Sequence, residues 1–148
     1  MQIKKILCPT DFSESAEKAF EYAVFLAASH EAELVLLHVV DQLHGFTHYE
    51  ILALTPMEIA EKIAKRAHEK LQDLIDRVKD SVTATESVRQ GRTWVEICEA
   101  AAAEKADIIV LGSHGRTGLS HVLIGSVAET VVRHASCPVL VVRGGPND

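Results

Sequence analysis

Residues 106–130, ADIIVLGSHGRTGLSHVLIGSVAET, join an apolar run, a glycine-rich stretch and the start of a helix. The first seven residues, 106–112, are short, apolar and partly β-branched, which is typical of a strand buried on both faces of a parallel sheet. Four of the chain's eight glycines lie between residues 112 and 125. Because glycine lets the backbone approach another group closely, this stretch after a buried strand indicates a ligand-binding loop.

Apolar runs of the same kind recur at residues 3–9, 32–40 and 137–143. A more polar segment, residues 83–91, is predicted to be a fifth strand at an edge of the sheet. Amphipathic helical patterns fill the intervals, so strands and helices alternate. The alternation predicts a doubly wound, Rossmann-like α/β fold with one five-stranded parallel sheet of order 3-2-1-4-5 and helices on both faces. Residues 1–148 are expected to form a single domain.

Four helices are predicted, and each begins at a residue suited to capping. Asp11 or Ser13 is expected to cap the first helix. The sequences TPME, TWVE and SVAE share the spacing of a capping box, in which a hydroxyl residue caps the helix and a glutamate three residues later returns a bond. These three sequences begin at Thr55, Thr93 and Ser126.

Composition and charge argue against several classes of protein. A net charge of −6 without a run of Lys or Arg argues against binding to nucleic acid or to anionic lipid. The absence of a long apolar run and of a leader-like start predicts a cytoplasmic location, away from membranes. His44 and His48 have the spacing of a metal pair but no clear third ligand, so no metal site is expected. The three scattered cysteines are expected to be reduced thiols in the core: Cys8, Cys98 and Cys137.

The segment from Gly112 to Ala128 has a composition suited to an anion. It holds no Asp or Glu but contains His114, Arg116 and His121. It ends where a helix begins, and the unpaired amides of a helix start suit a phosphate. In a sheet of the predicted order, ligands bind beyond the carboxyl ends of strands one and four, where the strand order reverses. A phosphorylated ligand is therefore expected at that point.

Neither a P-loop nor a dinucleotide fingerprint is present, since no lysine follows a suitably spaced glycine and residues 8–13 lack glycine. The spacing that is present is G-x2-G-x9-G-[ST], formed by Gly112, Gly115, Gly125 and Ser126. With this spacing, the chain resembles the nucleotide-binding branch of the universal stress protein family. The resemblance also covers ILCPTDFSESAEKAFEYA (6–23), LVLLHVVD (34–41) and residues 106–142, and so spans nearly the whole chain.

The resemblance implies a regulatory module of the stress response that binds ATP, alone or with Mg²⁺. The nucleotide-binding residues that it implies are Pro9, Thr10, Asp11, Val39, Leu111, Gly112, His114, Gly115, Gly125, Ser126, Val127 and Ala128. Asp11 would face the ribose hydroxyls, and Val39 would meet the adenine through its backbone. The glycines, Ser126 and the amides of Val127 and Ala128 would hold the ribose and the phosphates.

Several of these residues also have a purely structural interpretation. Asp11 and Ser126 could each serve only as a helix cap, and His114 could be a solvated loop residue rather than a phosphate donor. Trp94 is expected to pack beside the third helix rather than to stack on a base. Gly125→Val is expected to abolish ATP binding in a folded protein, because a side chain at that position would enter the phosphate site.

An enzyme, in particular a slow ATPase, is the alternative function. The sequence offers no residue committed to positioning water and no P-loop lysine. The adjacent pairs Ser113–His114 and Ser120–His121 are not expected to place an imidazole against a hydroxyl, which argues against a hydrolase. Binding without dedicated catalysis is therefore the favoured interpretation.

A homodimer is expected through the strand at residues 138–142, PVLVV. This predicted edge strand is apolar and has neither charge nor proline in its middle, so it favours pairing with a second copy under two-fold symmetry. The family resemblance implies a similar C-terminal dimer. A regulatory role also implies a protein partner, which the sequence does not identify.

Overall fold

The chain forms a five-stranded parallel sheet in a computed structural model that describes residues 1–41, 48–114 and 124–144. The strands are β1 (Lys5–Pro9), β2 (Glu33–Val40), β3 (Ala84–Gln90), β4 (Ile108–Gly112) and β5 (Val139–Val142). Their order across the sheet is β3-β2-β1-β4-β5, and each neighbouring pair is parallel. The predicted fold class and strand order are confirmed.

Helices connect the strands on both faces of the sheet. They are α1 (Glu14–His30), α2 (His48–Ala53), α3 (Pro56–Val78), α4 (Thr93–Glu104) and α5 (Ser126–His134). The short helix α2 was not predicted, and the other four match the predicted helices. In the three ranges that the structure describes, no helix is both long and apolar enough to cross a membrane.

The two faces of the sheet bury separate apolar clusters. The cluster under α1 and α3 includes Ile6, Cys8 and Leu36. The cluster under α4 and α5 includes Leu7 and Leu37. Successive side chains of β1 and β2 thus alternate between two buried faces, as in a parallel sheet covered by helices on both sides.

The starts of α1 and α3 are capped as the sequence predicts. Ser13 caps α1, because its hydroxyl accepts a bond from the Ala16 amide at 3.2 Å. Thr55 and Glu58 form the complete capping box of α3, with proline at the first helical position. Of the two residues proposed as the cap of α1, Ser13 is therefore the one that fills this role.

The capping boxes predicted for α4 and α5 are wrong by one residue. The extended residues before these helices are Arg92 and Gly125, and neither makes a side-chain capping bond. Thr93 is already helical, and its hydroxyl donates to the Asp41 carboxylate at 2.7 Å. In both helices the residue predicted as the cap is already part of the helix, so the local spacing alone does not determine where the helix starts.

The three cysteines are free thiols. Burial raises the pKa of Cys8 to about 12 and also raises the pKa of Cys98 and of Cys137. The thiols are therefore protonated at neutral pH and are poor nucleophiles and metal ligands. Among the described residues, no three His, Cys, Asp or Glu side chains gather as metal ligands, and His44 lies outside those residues.

Candidate functional site

The sheet opens between β1 and β4 at its carboxyl end. The β1–β2 ladder continues to the pair Pro9 with Leu37, and the β4–β5 ladder continues to the pair Gly112 with Val142. The β1–β4 ladder contains two pairs, of which the second joins Leu7 to Ile109. The central ladder thus ends before the strands do, which leaves a crevice where the strand order reverses. Ligands of open α/β sheets bind at this position.

The turn after β1 is ordered by its own side chains. The Thr10 hydroxyl accepts from the Phe12 amide and the Asp11 carboxylate accepts from the Ser13 amide, each at 3.0 Å. Phe12 has a φ of 63°, a left-handed conformation that is uncommon for a residue with a side chain. Because Ser13 caps α1, Asp11 is not merely the helix cap, and its half-buried carboxylate instead shapes the turn beside the crevice.

His38 also contributes to this turn, although the sequence analysis did not single it out. It lies in β2 with 8% of its surface exposed, and its Nδ1 is 2.8 Å from the Thr10 carbonyl oxygen. The available signal was a histidine within an otherwise apolar strand, LVLLHVV (34–40). A buried polar side chain in such a strand needs a hydrogen-bond partner.

The segment after β4 is buried more deeply than expected. Ser113 has no exposed surface and His114 has 9%, so the interpretation of His114 as a solvated loop residue is wrong. The Ser113 hydroxyl lies 2.9 Å from Nδ1 of His114, so the expectation that adjacent serine and histidine cannot meet is also wrong for this pair. The amide of His114 donates to the Ser15 hydroxyl in α1 at 3.3 Å. Buried polar contacts therefore hold Ser113 and His114 in place at the end of β4.

Gly112 and Gly125 both lack space for a side chain, and in both cases the chain itself fills the space. A Cβ atom on Gly112 would lie 2.5 Å from the Ser15 hydroxyl oxygen and 2.8 Å from its carbonyl group. A Cβ atom on Gly125 would lie 2.9 Å from the Ser113 carbonyl oxygen. The reason given for the effect of Gly125→Val is therefore wrong, since the added side chain would first meet Ser113.

The start of α5 lies against the end of β4. The Gly125 amide donates to the Ser113 carbonyl at 2.6 Å, which places the first turn of α5 beside the segment that follows β4. Ser126 and Val127 are exposed, whereas the Ala128 side chain is buried. The first amides of a helix have no partner within it, and no side chain caps those of α5. Their partial positive charge is thus suited to an anion.

The remaining predicted site residues that the structure describes near the crevice lie at or next to the ends of their strands. Val39 is half-buried and precedes the last residue of β2, while the Leu111 side chain lies in the core, so that only its backbone can face a ligand. Pro9 ends β1 at the border of the crevice. Gly115 lies outside the described residues, as do Gly118, Ser120 and His121.

A second concave region lies on the α3 face of the sheet, next to the carboxyl end of β2. It is an open groove of about 480 Å³ between α3 and the ends of β2 and β3, and its lining includes Val40, Asp41, Ile59 and His68. None of the predicted nucleotide-binding residues is among those that line it. The groove is therefore a different region from the predicted site, and the candidate site stays the opening between β1 and β4, where the strand order reverses.

Comparison with known proteins agrees with the fold. The sequence pattern of the universal stress protein family matches residues 2–143. Universal stress protein MJ0577 of Methanocaldococcus jannaschii is 33% identical over 154 residues, covering 95% of this chain and 94% of that protein. A solved structure of MJ0577 superimposes with a TM-score of 0.84 at 34% identity and covers 99% of both chains.

Two further solved structures belong to proteins named as universal stress proteins. UspA of Lactobacillus plantarum has a TM-score of 0.81 at 31% identity, covering 97% of this chain and 99% of that chain. A universal stress protein in complex with cAMP has a TM-score of 0.68 at 25% identity, covering 98% of this chain and 100% of that chain. Because family pattern, sequence and fold agree over nearly the whole length, the chain belongs to the universal stress protein family.

Proposed function

We propose that the chain is a single-domain, nucleotide-binding regulatory module of the stress response, and that it binds ATP in the crevice between β1 and β4. The observation that carries this proposal is the early end of the central ladder at Leu7 and Ile109. It opens the sheet between the turn that holds Asp11 and residues 113–114, which follow β4. The solved relative in complex with cAMP supports a nucleotide as the class of ligand.

The ribose would bind on the β1 side of the crevice. The Asp11 carboxylate is held in the turn through its bond from the Ser13 amide. A carboxylate has acceptor sites for more than one donor, so Asp11 can order this turn and accept from ribose hydroxyls at the same time. Thr10 and Pro9 would border the sugar.

The phosphates would bind on the α5 side of the crevice. The first amides of α5, at Ser126, Val127 and Ala128, point toward the helix start, where the helix dipole favours negative charge. The short bond from the Gly125 amide to Ser113 fixes this turn relative to β4. His114 lies next to it and would complete the phosphate side, with Mg²⁺ bound mainly through the phosphates themselves.

The adenine would lie near the end of β2, where the backbone of Val39 can exchange hydrogen bonds with the base. The neighbouring backbone of Leu111 and Gly112 would border the nucleotide on the other side. Gly112 is required in any case by its contact with Ser15. A role for Gly115 stays a prediction of the sequence.

One contact favours the alternative of a slow ATPase, namely the hydrogen-bond distance between the Ser113 hydroxyl and His114. Full burial of Ser113 argues against its use as a nucleophile, since a nucleophile must reach the substrate. The Ser113 hydroxyl is better suited to orienting the imidazole ring of His114. We therefore expect steady-state hydrolysis far below the rate of about 10 per second that is typical of enzymes.

A homodimer is proposed through β5, which is an edge strand of the sheet. Its four residues are apolar, and three of them are half-buried. An edge strand without charge or proline favours strand pairing. A protein partner that responds to the nucleotide is also expected, and its identity is open.

The function is tested by measuring nucleotide binding to the purified protein. Mass spectrometry of the denatured protein's supernatant identifies any nucleotide that it carries, and calorimetry compares ATP, ADP, AMP and cAMP. We expect ATP to bind most tightly, because it offers the most phosphate charge to the start of α5. Absence of binding to all four nucleotides would contradict the proposal. Tighter binding of cAMP than of ATP would identify cAMP as the ligand instead.

A further inference from the structure

His38 is a buried polar side chain whose direction of hydrogen bonding is fixed by chemistry. Its Nδ1 lies 2.8 Å from the Thr10 carbonyl oxygen, and a carbonyl oxygen can only accept. Nδ1 therefore carries a proton and donates. The histidine stands in β2 directly after Leu36 and Leu37, which have no exposed surface, so an apolar residue would meet the packing needs of this strand.

The same imidazole also contacts the turn on the other side of Asp11. The ring centroids of His38 and Phe12 are 4.8 Å apart, and Lys70 of α3 lies 4.9 Å from the Phe12 centroid. Phe12 has its left-handed backbone at this point. Such a conformation persists only where the surroundings hold it. His38 thus contacts the residue before Asp11 through a hydrogen bond and the residue after it through a tilted contact between the two rings.

We propose that His38 is a positioning residue that holds the turn Thr10–Phe12 so that the Asp11 carboxylate faces the ribose of the bound nucleotide. The inference rests on the proposed function and extends it to a residue that would not contact the ligand. Without the donor of His38, the turn would occupy the binding-competent arrangement for a smaller fraction of the time. The apparent affinity would fall by the same factor.

Two substitutions of similar size separate the hydrogen bond from simple packing. His38→Asn places an amide nitrogen where Nδ1 stands and so keeps the donor. Leucine has nearly the same shape as asparagine but has no donor, so His38→Leu removes the hydrogen bond alone. His38→Val is a second donor-free variant, suited to a strand, should leucine prevent folding. Thermal unfolding of each variant establishes that it is folded.

The affinities of the variants for ATP and for 2′,3′-dideoxy-ATP test the role through Asp11. We expect His38→Leu to weaken ATP binding about tenfold, the effect of one lost hydrogen bond, and His38→Asn to retain most of the affinity. The dideoxy analogue lacks the ribose hydroxyls, so its affinity is expected to be equal in all variants. Equal losses for both nucleotides, or no loss for ATP, would overturn the proposal.

Amide hydrogen exchange of the protein without ligand provides a readout that does not depend on nucleotide binding. Exchange at Phe12 and Ser13 is expected to be several-fold faster in His38→Leu than in His38→Asn, since these amides are bonded within the turn. Equal exchange in the two variants would overturn the positioning role. Absence of ATP binding by the wild-type protein would instead overturn the proposed function, so the two failures are distinguishable.

Discussion

Gly112 shows that a glycine in a predicted nucleotide-binding motif can be required by packing. The glycine ends β4, and α1 passes so close that Ser15 would contact any Cβ atom at this position. The residue is therefore needed to bring α1 onto the carboxyl end of β4. This packing requirement holds whether or not Gly112 also contacts a nucleotide.

Gly112→Ala is expected to destabilise the protein by about 1–3 kcal/mol, the usual cost of overpacking a well-packed site. The double variant Gly112→Ala with Ser15→Ala is expected to recover only part of this loss. It removes the contact at 2.5 Å with the hydroxyl, but it leaves the contacts at 2.8 Å with the Ser15 backbone and also deletes the acceptor of the His114 amide. Urea unfolding measures both variants, and an unchanged midpoint for Gly112→Ala would contradict the packing argument.

Asp11 and Ser13 form a matched pair for separating binding from stability. Asp11→Asn keeps an oxygen that accepts from the Ser13 amide but removes the charge, so we expect normal stability and about tenfold or more weaker ATP binding. Ser13→Ala removes the cap of α1, so we expect a loss of about 1 kcal/mol in stability with little change in affinity. Calorimetry measures the ATP affinity of both variants, and thermal unfolding measures their stability. If Asp11→Asn lowered the stability and left the affinity unchanged, Asp11 would be a structural residue only.

At the scale of elements, two sequences with the same capping spacing behave differently. Thr55 closes a complete capping box, whereas Ser126 is already helical and caps nothing. Thr55→Ala is therefore expected to cost about 1 kcal/mol, and Ser126→Ala less than about 0.5 kcal/mol. Urea unfolding of both variants compares them directly. Equal losses would indicate that Ser126 stabilises its helix in some other way.

The amino end of the β1–β4 junction is closed by Asp107. Its carboxylate accepts from the amides of Lys4 and Lys5 at 2.8 and 2.9 Å, and these bonds lower its pKa from the ordinary value of 3.8. A lowered pKa means that the folded state binds fewer protons than the unfolded state. The resulting stability is present above the ordinary value and is lost as pH falls through the folded pKa.

Asp107→Asn is expected to be less stable than the wild type at neutral pH, because the neutral amide is a weaker acceptor. The difference is expected to shrink as pH falls below 3.8, where the carboxyl of the unfolded wild type binds a proton, and to be lost as pH falls through the lowered pKa of the folded state. Asp107→Ala lacks the acceptor and should remain the least stable at every pH. Thermal unfolding from pH 7 to pH 3 measures these differences, and a constant gap between wild type and Asp107→Asn would argue against the role of the charge.

At the scale of the whole molecule, the bonds of β5 indicate which of its amides face the open edge. Pro138 and Val142 accept from Ile109 and Ser113 on the β4 side. Because the backbone groups of successive residues in a strand point to opposite sides, the amides of Val139 and Val141 face away from β4. These amides would pair with a second copy of the chain.

Val141→Pro is therefore expected to yield a folded monomer, because it removes an outward amide, and proline is tolerated on an edge strand. Leu140→Pro is the matched control, and it is expected to disrupt the fold by deleting a bond to β4. Light scattering should give the wild type twice the 16.2 kDa of one chain. A wild-type mass of one chain, or a dimeric Val141→Pro, would contradict pairing through β5.

The sequence predicts the sheet well because each strand and helix is marked by a pattern within its own residues. Apolar runs mark the strands, and the alternation with helices determines the parallel order. Features that depend on distant residues were not predictable from spacing, such as the contact of Ser15 with His114, 99 positions away, and the bond of His38 to Thr10. The same holds for the bond of the Thr93 hydroxyl to Asp41, a distant residue, at the start of α4, where Thr93 was predicted to be the cap. The cytoplasmic location stays a prediction.

The short ladder between β1 and β4 divides the sheet into two parts that share few backbone hydrogen bonds. Strands β1, β2 and β3 form one part, β4 and β5 form the other, and Asp107 links them at the amino end. At the carboxyl end the link is made by α1, whose Ser15 contacts Gly112 and the amide of His114. A ligand bound in the crevice would add a second link at this end. We therefore expect its loss to increase the movement of the two parts relative to each other, which a partner that contacts both parts would detect.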